Sequence, residues 1–482
     1  MAESSNQFRL RESKPLWVWG VACAVLMFSI FGLRQWLKPA KPQVAKQQTK
    51  PNGTSASKTT NAIRMDASDT TNTNRDPSKP VEQPPTPDTL LDKGELVEQV
   101  GAALESANHV QAYKLARQLI RLDPSDPTSN FLMARVLGLR KRYPEAIAML
   151  DKLAKTTPDA KLAVLGQTSD WLVRYGKFDE AEERLNTLLK FAPDAVIVHQ
   201  SLGRLLFRRG ENQKAFEHFD RLNELGDISE SDLRWLLRPQ RPFKKDAQSI
   251  EPIGLLGEAN KLAGIGDWQA VIELIESKDV DLTHAENAML GLAFARQKNN
   301  EQLSAWANIN QKVANNNPDA WFAFATLASM NRQPRKAIAC CCKCILLMPT
   351  YAEAYELLAE SLADFDQFSK AQSRAFDRAK TLRRTQELGE AMANGKTLTD
   401  DDFGELVNLL QKLHRPSEAI NWEYVRLTLA SQNGTLSESE IKTAFRQIES
   451  QSQQVSPLSE SAMRSFVLCG VDPNHESFNA DR

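Results

Sequence analysis

From about Leu90 onward, apolar and polar positions alternate in pairs of amphipathic stretches, each roughly a dozen residues long, with turn residues between them. An alanine marks the second stretch of each pair. Ala112, Ala146, Ala181 and Ala215 recur at intervals of 34, 35 and 34 residues, and Ala337 and Ala371 are again 34 apart. Prolines keep the same register, with Pro124, Pro158 and Pro193 each twelve residues after an alanine and Pro349 at that offset from Ala337. A fixed period of this length predicts stacked helix pairs rather than one large core. Small residues let the two helices of a unit approach closely, large ones fill the gap to the neighbour, and proline ends the second helix. Tyr175-Gly176-Lys177, Arg209-Gly210-Glu211 and Gly264-Ile265-Gly266-Asp267 supply the breaks between paired helices. The register slips at two places. The unit around Trp268 and Ala270 lies 55 residues after Ala215, and the unit around Gly291 and Trp306 has lost the regular spacing.

Individual units carry more than the period. Leu202-Gly203 with Leu206 is followed by Ala215 and Phe219; Trp321, Phe324 and Ala325 lead to Ala337 and Pro349; Tyr355, Leu358, Ala359 and Leu362 lead to Ala371. The last unit has Phe403, Leu406, Leu410 and Ala419. Over residues 91–430 this resembles the tetratricopeptide repeat (TPR) family, whose pattern runs W-x2-L-G-x2-Y, then A-x3-F, then P. The resemblance implies an all-α, right-handed solenoid of helix pairs that binds extended peptides or helices along the concave surface made by the first helix of each unit. Residues 431–482 are expected to add one capping helix, around Glu438 to Ile448, and a loose tail.

On that register the outward positions of the first helices include Phe131, Arg135, Gln200, Arg204 and Phe207 early on, and Glu353, Glu356 and Glu360 late. One reading is a polarised groove, taking an acidic segment near Arg135 and Arg204 and a basic one near the glutamates. The other is an ordinary solvated face. Some members of the family clamp a terminal carboxylate with Lys and Asn; here Arg135, Asp170 and Arg204 stand in the corresponding region, and the aspartate argues against that use. The insertion near residues 227–256 interleaves basic and aromatic residues, among them Trp235, Arg238, Arg241 and Phe243, with Pro239 and Pro242 breaking the run. Such a stretch either docks on a partner or on lipid headgroups, or packs over a repeat with Trp235 and Phe243 as plugs.

The N-terminal part has a different pattern. No charged residue occurs from Pro15 to Leu33, and Trp17, Trp19 and Trp36 stand where an aromatic belt belongs. As a helix this run is roughly 28 Å long, close to the hydrocarbon thickness of a bilayer. Residues 15–37 are therefore expected to be a single transmembrane helix behind a short tail, residues 1–14. Arg34, Gln35, Trp36 and Leu37 follow the run, where a signal peptide would need small residues for cleavage. Residues 38–90 are rich in Pro, Thr, Ser, Asn, Lys and Gln and are expected to be a disordered linker. Flanking Lys and Arg counts lean slightly towards a cytoplasmic repeat domain, and leave the face open.

Composition narrows the function. The 60 basic and 61 acidic side chains give a net charge of -1, without the basic excess of a general nucleic-acid binder. Four of the six cysteines crowd into positions 340–344, too close together to staple a fold. Cys341 and Cys344 fall on packed positions, whereas Cys340 or Cys342 is expected to be exposed and oxidisable. The six histidines form no H-E-x2-H pair, and phosphate-binding glycine loops and the G-x-S-x-G elbow are missing. No cofactor, metal or catalytic residue is expected. The chain reads as a membrane-anchored scaffold or adaptor for other proteins. The alternatives are an accessory factor of an envelope-biogenesis or transport machinery, similar in element order to mitochondrial import receptors, or an enzyme.

Overall fold

The computed structural model describes residues 92–475, apart from 239–240, 280, 311–315, 435–436, 455–457 and 474. The expected tail, transmembrane helix and linker lie outside the described residues. No described helix is long and apolar enough to cross a membrane. Described residues form helices and no strands. The chain divides into two compact units, the first ending at Lys177 and the second starting at Phe178.

The first unit contains α1 (Lys93–Glu105), α2 (His109–Leu122), α3 (Pro127–Leu139), α4 (Tyr143–Thr156) and α5 (Lys161–Tyr175). Local chemistry sets their ends. Asn108 accepts from the Gln111 N–H and Asp126 from the Ser129 N–H, each satisfying a donor that the first turn leaves orphaned. Pro127 sits in the first turn of α3, where a missing N–H costs nothing. Helices α2 and α4 stop at Leu122 and Thr156, two residues before Pro124 and Pro158, because proline disfavours helical backbone in the residue before it.

The second unit continues with α6 (Phe178–Phe191), α7 (Val196–Arg208) and α8 (Asn212–Leu225). The insertion follows as two short helices, α9 (Glu230–Leu236) and α10 (Lys244–Ser249). Pairing then resumes through α11 (Gly254–Ile265), α12 (Trp268–Glu276), α13 (His284–Arg296), α14 (Asn300–Ile309), α15 (Pro318–Met330), α16 (Pro334–Leu347), α17 (Ala352–Leu362), α18 (Ser369–Ala393), α19 (Asp400–Lys412) and α20 (Pro416–Gln432). Two further helices, α21 (Glu438–Gln454) and α22 (Glu460–Val467), end the described chain.

The alanines of the period are buried. Ala112, Ala146, Ala181 and Ala337 are fully buried, and Ala215 and Ala371 nearly so. Where the period slipped, larger residues keep the same offset from the helix start. The N-cap sits four residues before the register position in Asn108–Ala112 and again in Asp267–Val271 and Asn299–Leu303. The true partner of Ala215 in the next pair is thus Val271, not Ala270, and both Val271 and Leu303 are fully buried. A turn with one residue in left-handed backbone also repeats between consecutive helices, at Lys141 (φ 61°), Gly176 (φ 83°), Gly210 (φ 79°), Lys298 and Arg332 (φ 54° each). That geometry lets the first amides after the helix reach back to its last carbonyls, as Arg142 N–H does to Leu137.

The C-terminal stretch corrects the expectation of a loose tail. Val467, Leu468, Cys469 and Val471 are buried in the same core as α13 to α18, and the Tyr355 hydroxyl donates to the Val467 carbonyl at 3.0 Å. The hydrophobic side chains of this short helix cover apolar surface that the repeats leave open.

Close approach within a pair is testable at Gly203. A Cβ there would stand 2.8 Å from Phe219 Cζ, whereas one at Gly404 in α19 would meet nothing within 4 Å. We expect Gly203→Ala to destabilise by about 1–3 kcal/mol through overpacking. Gly404→Ala should be stabilising by about 1 kcal/mol, the helix-propensity difference. Chemical denaturation of both variants reads the contrast, and equal shifts would contradict the packing.

Candidate interaction surfaces

The insertion lies inside the second unit instead of looping out of it. Helix α9 packs on α8 and α20, and α10 on α11 and α18. Trp235 meets the Phe207 ring edge-on at 3.9 Å and stacks on Phe219 at 5.3 Å. The Arg238 guanidinium lies 3.5 Å from the centre of the Trp235 ring and pairs with Asp246. Burial brings Arg238 down to about 10, so it still carries its charge at neutral pH. Phe243 is buried against α18, where Gly389 leaves the room: a Cβ there would stand 2.8 Å from Phe243 Cζ. Arg241 is 7% exposed, and its Nη2 lies 2.9 Å from Asp319 Oδ1, off the hydrogen-bonding line. The Tyr351 hydroxyl donates to the same carboxylate oxygen at 3.2 Å.

This placement engages the early candidates on α7. Asp232 of α9 is completely buried and accepts from Arg204 Nη2 at 2.7 Å, Arg204 Nε at 3.1 Å and Gln200 Nε2 at 3.0 Å. Phe207 is 5% exposed beneath Trp235. Of the insertion's two open readings, internal packing accounts for Trp235, Arg238, Arg241 and Phe243: each is held by side chains of its own chain. An acidic guest at Arg204 would have to displace Asp232.

The late glutamates divide. Glu353 meets Arg296 at 3.0 Å and Arg383 at 3.4 Å, and Glu356 takes both ends of the Arg383 fork at 2.8 and 2.9 Å. Burial works against the charge on Glu353, but the Arg296 and Arg383 guanidiniums hold its carboxyl below the usual carboxylate range. Glu360 alone of the three is exposed. In the first unit Phe131 and Arg135 of α3 are half-buried; burial lowers Arg135, opposed by Glu105. Asp170 pairs with Arg174 at 2.9 Å, so it is no free clamp residue either.

The cysteine expectation needs one correction. Cys340 and Cys342 are buried, as are Cys341 and Cys344, because α15, α17 and α22 all pack on α16. Burial pushes the Cys340 thiol up to about 11 and Cys342 up to about 12, which keeps both protonated and unreactive.

Sequence reasoning missed a surface cleft in the first unit. Its volume is about 460 Å³ and its walls are His109, Val110, Tyr113, Leu139, Arg140 and Lys141. The Arg140 guanidinium lies 4.3 Å from the Tyr113 ring centre, and Arg117 approaches the same ring at 5.8 Å. The available signal was the run Arg140-Lys141-Arg142 at the turn of a hairpin, with Tyr113 and Arg117 one helical turn apart.

Comparison with known proteins agrees with the helix pairs. Residues 172–227 match the family model described as tetratricopeptide repeat. A tetratricopeptide repeat protein from Parabacteroides merdae is 14% identical, with 56% of this chain and 98% of that chain covered and a TM-score of 0.27. The structure of Naa15/Naa10 bound to HypK-THB is 12% identical over 81% of this chain and 65% of that one, with a TM-score of 0.26. The APC/C hetero-tetramer Cut9-Hcn1 is 13% identical over 81% and 95%, with a TM-score of 0.24. No curated protein sequence matches the chain.

Two tests address the second unit's interior. Asp319→Ala leaves Arg241 buried without its counter-charge and should cost about 3–5 kcal/mol, whereas exposed Glu360→Ala should change stability by less than about 0.5 kcal/mol. Denaturant titrations give both values. Glu418, on α20 beside Arg415 and 1% exposed, is pushed up to about 7 by burial, with Asp220 adding to and Arg415 opposing the shift. A raised carboxyl favours the fold fully below its unfolded pKa, and the contribution is lost as pH rises through the folded value. Stability should therefore decline from about pH 4.5 to pH 7 by this group, and that component should vanish in Glu418→Gln. Unfolding free energies across that range, showing the same slope in both proteins, would contradict it.

Proposed function

We propose that this chain is a membrane-anchored scaffold that holds other proteins on a TPR-like array of helix pairs. One observation carries the reading: among the described residues, helix pairs repeat in one register, with a buried alanine, or Val271 and Leu303 in the two slipped units, at the same position, and segment 172–227 matches the TPR model. Such an array has a large surface for its mass and can present many side chains to an extended guest. The apolar run Pro15–Leu33 supplies the anchor, and the polar residues 38–90 supply a tether that sets the array away from the bilayer. A cytoplasmic face agrees with the Lys and Arg count flanking the run. Because Arg204, Glu353 and Glu356 are paired inside the chain, Phe131, Arg135 and Glu360 are the expected positions that still meet a partner.

The test uses the full chain with a C-terminal affinity tag in its native membranes. Alkaline carbonate extraction should leave it in the pellet, and protease should cleave the tag only on one side. Chemical crosslinking followed by purification should recover a defined partner set, with crosslinked lysines of this chain confined to the array. Release by carbonate would remove the anchor. Recovery of only abundant neighbours, the same with a scrambled array, would remove the scaffold.

A further inference from the structure

We propose that the cleft beside Tyr113 binds an acidic segment of a partner protein, a reading that rests on the scaffold function and gives it a chemistry. The observation is an uncompensated cluster of positive charge. Arg140 and Arg117 both lie against one tyrosine ring, and Lys141 continues the wall in left-handed backbone at φ 61°. Arg142 next to them is neutralised by Glu145, its Nε donating to Oε1 at 2.7 Å. Arg117, Arg140 and Lys141 have no carboxylate partner among the described residues. By contrast, several other arginines of the helix array are paired: Arg209 with Glu182, Arg221 with Asp194, Arg384 with Glu405 and Arg426 with Asp400. Like charges held together without a counter-charge repel, and an incoming carboxylate relieves that repulsion while gaining charge-assisted hydrogen bonds.

The shape specifies the guest further. Val110 is 80% exposed at the rim, with Leu139 on the opposite wall, so an apolar side chain next to the acidic ones has a place to pack. The cation–π contacts with Tyr113 hold the arginine forks in position before the guest arrives, which limits the ordering cost. A peptide side chain enters a cleft of about 460 Å³; the plane of headgroups on a bilayer does not. The acidic protein segment is therefore favoured over an anionic membrane.

The test measures fluorescence anisotropy of a labelled peptide, Asp-Leu-Glu-Glu repeated three times, with the full chain in lipid nanodiscs. Its Asn-Leu-Gln-Gln counterpart is the control. The acidic peptide should bind and the neutral one should not. Arg117→Glu and Arg140→Glu should each weaken binding about tenfold, with Arg117→Gln and Arg140→Gln in between. Both arginines are exposed, so melting curves of all four variants should overlay that of the parent chain. No binding, or equal affinity in the reversals, overturns the proposal. Displacement of the peptide by phosphatidylserine liposomes, with liposome binding lost in the same variants, reassigns the cleft to lipid and overturns it too. The crosslinked complex from native membranes separates the two claims. If it forms and survives Arg140→Glu, the scaffold stands and the cleft is not its contact. If the parent chain forms none, the scaffold itself fails.

Discussion

The arrangement of the second unit depends on burying charged side chains of the insertion beside their counter-charges. Asp232 is fully buried because Arg204, Gln200 and the Ser229 hydroxyl bring it four hydrogen-bond donors, and Arg241 is nearly so because Asp319 faces it. Removing either charge from water unpaired would cost several kcal/mol, more than the net stability that one hydrophobic contact returns. The pairs therefore fix one position for α9 and α10 among the many that hydrophobic packing alone would tolerate. From that position Trp235 and Phe243 reach α7, α8 and α18, and Arg415, the N-cap of α20, donates to the Leu236 carbonyl at 2.9 Å, across 179 positions of sequence. Helices distant along the chain are thereby held by a segment that interrupts the repeat.

This changes what the repeat surface offers. Within the second unit the chain's own aromatic and basic residues cover helix faces that the repeats alone would leave open. Some of the positions that a register argument marks as available are then engaged within the chain: Phe207 lies under Trp235, and Glu356 holds Arg383. Arg117, Arg140 and Lys141 at the hairpin of the first unit, around Tyr113, have no carboxylate partner among the described residues.

Most of the local architecture was legible. Alanine and proline periods placed the pairs because each has a direct mechanical meaning, close helix approach for Ala146 and helix termination for Pro158. The slipped units were harder, since Val271 and Leu303 fill the register with larger side chains and hide it from a search for alanine. Contacts at long separation were not legible at all. Nothing in the residues around Trp235 says whether the stretch faces solvent or core, because interleaved aromatics and arginines serve both, and the deciding partners, Asp319 and Gly389, lie far along the chain. The same holds for Val467 to Val471, whose place in the core depends on apolar surface left open by α16 to α18.

Hydrogen exchange of the full chain, followed by mass spectrometry, tests the insertion's place most directly. If α9 and α10 are internal to the second unit, their amides should be protected to nearly the same degree as those of α15 to α17, since they open only when that unit opens. Exchange of residues 230–236 and 244–249 at the rate of a surface loop, with α15 to α17 still protected, would contradict the account and return Trp235, Arg238, Arg241 and Phe243 to the outer surface.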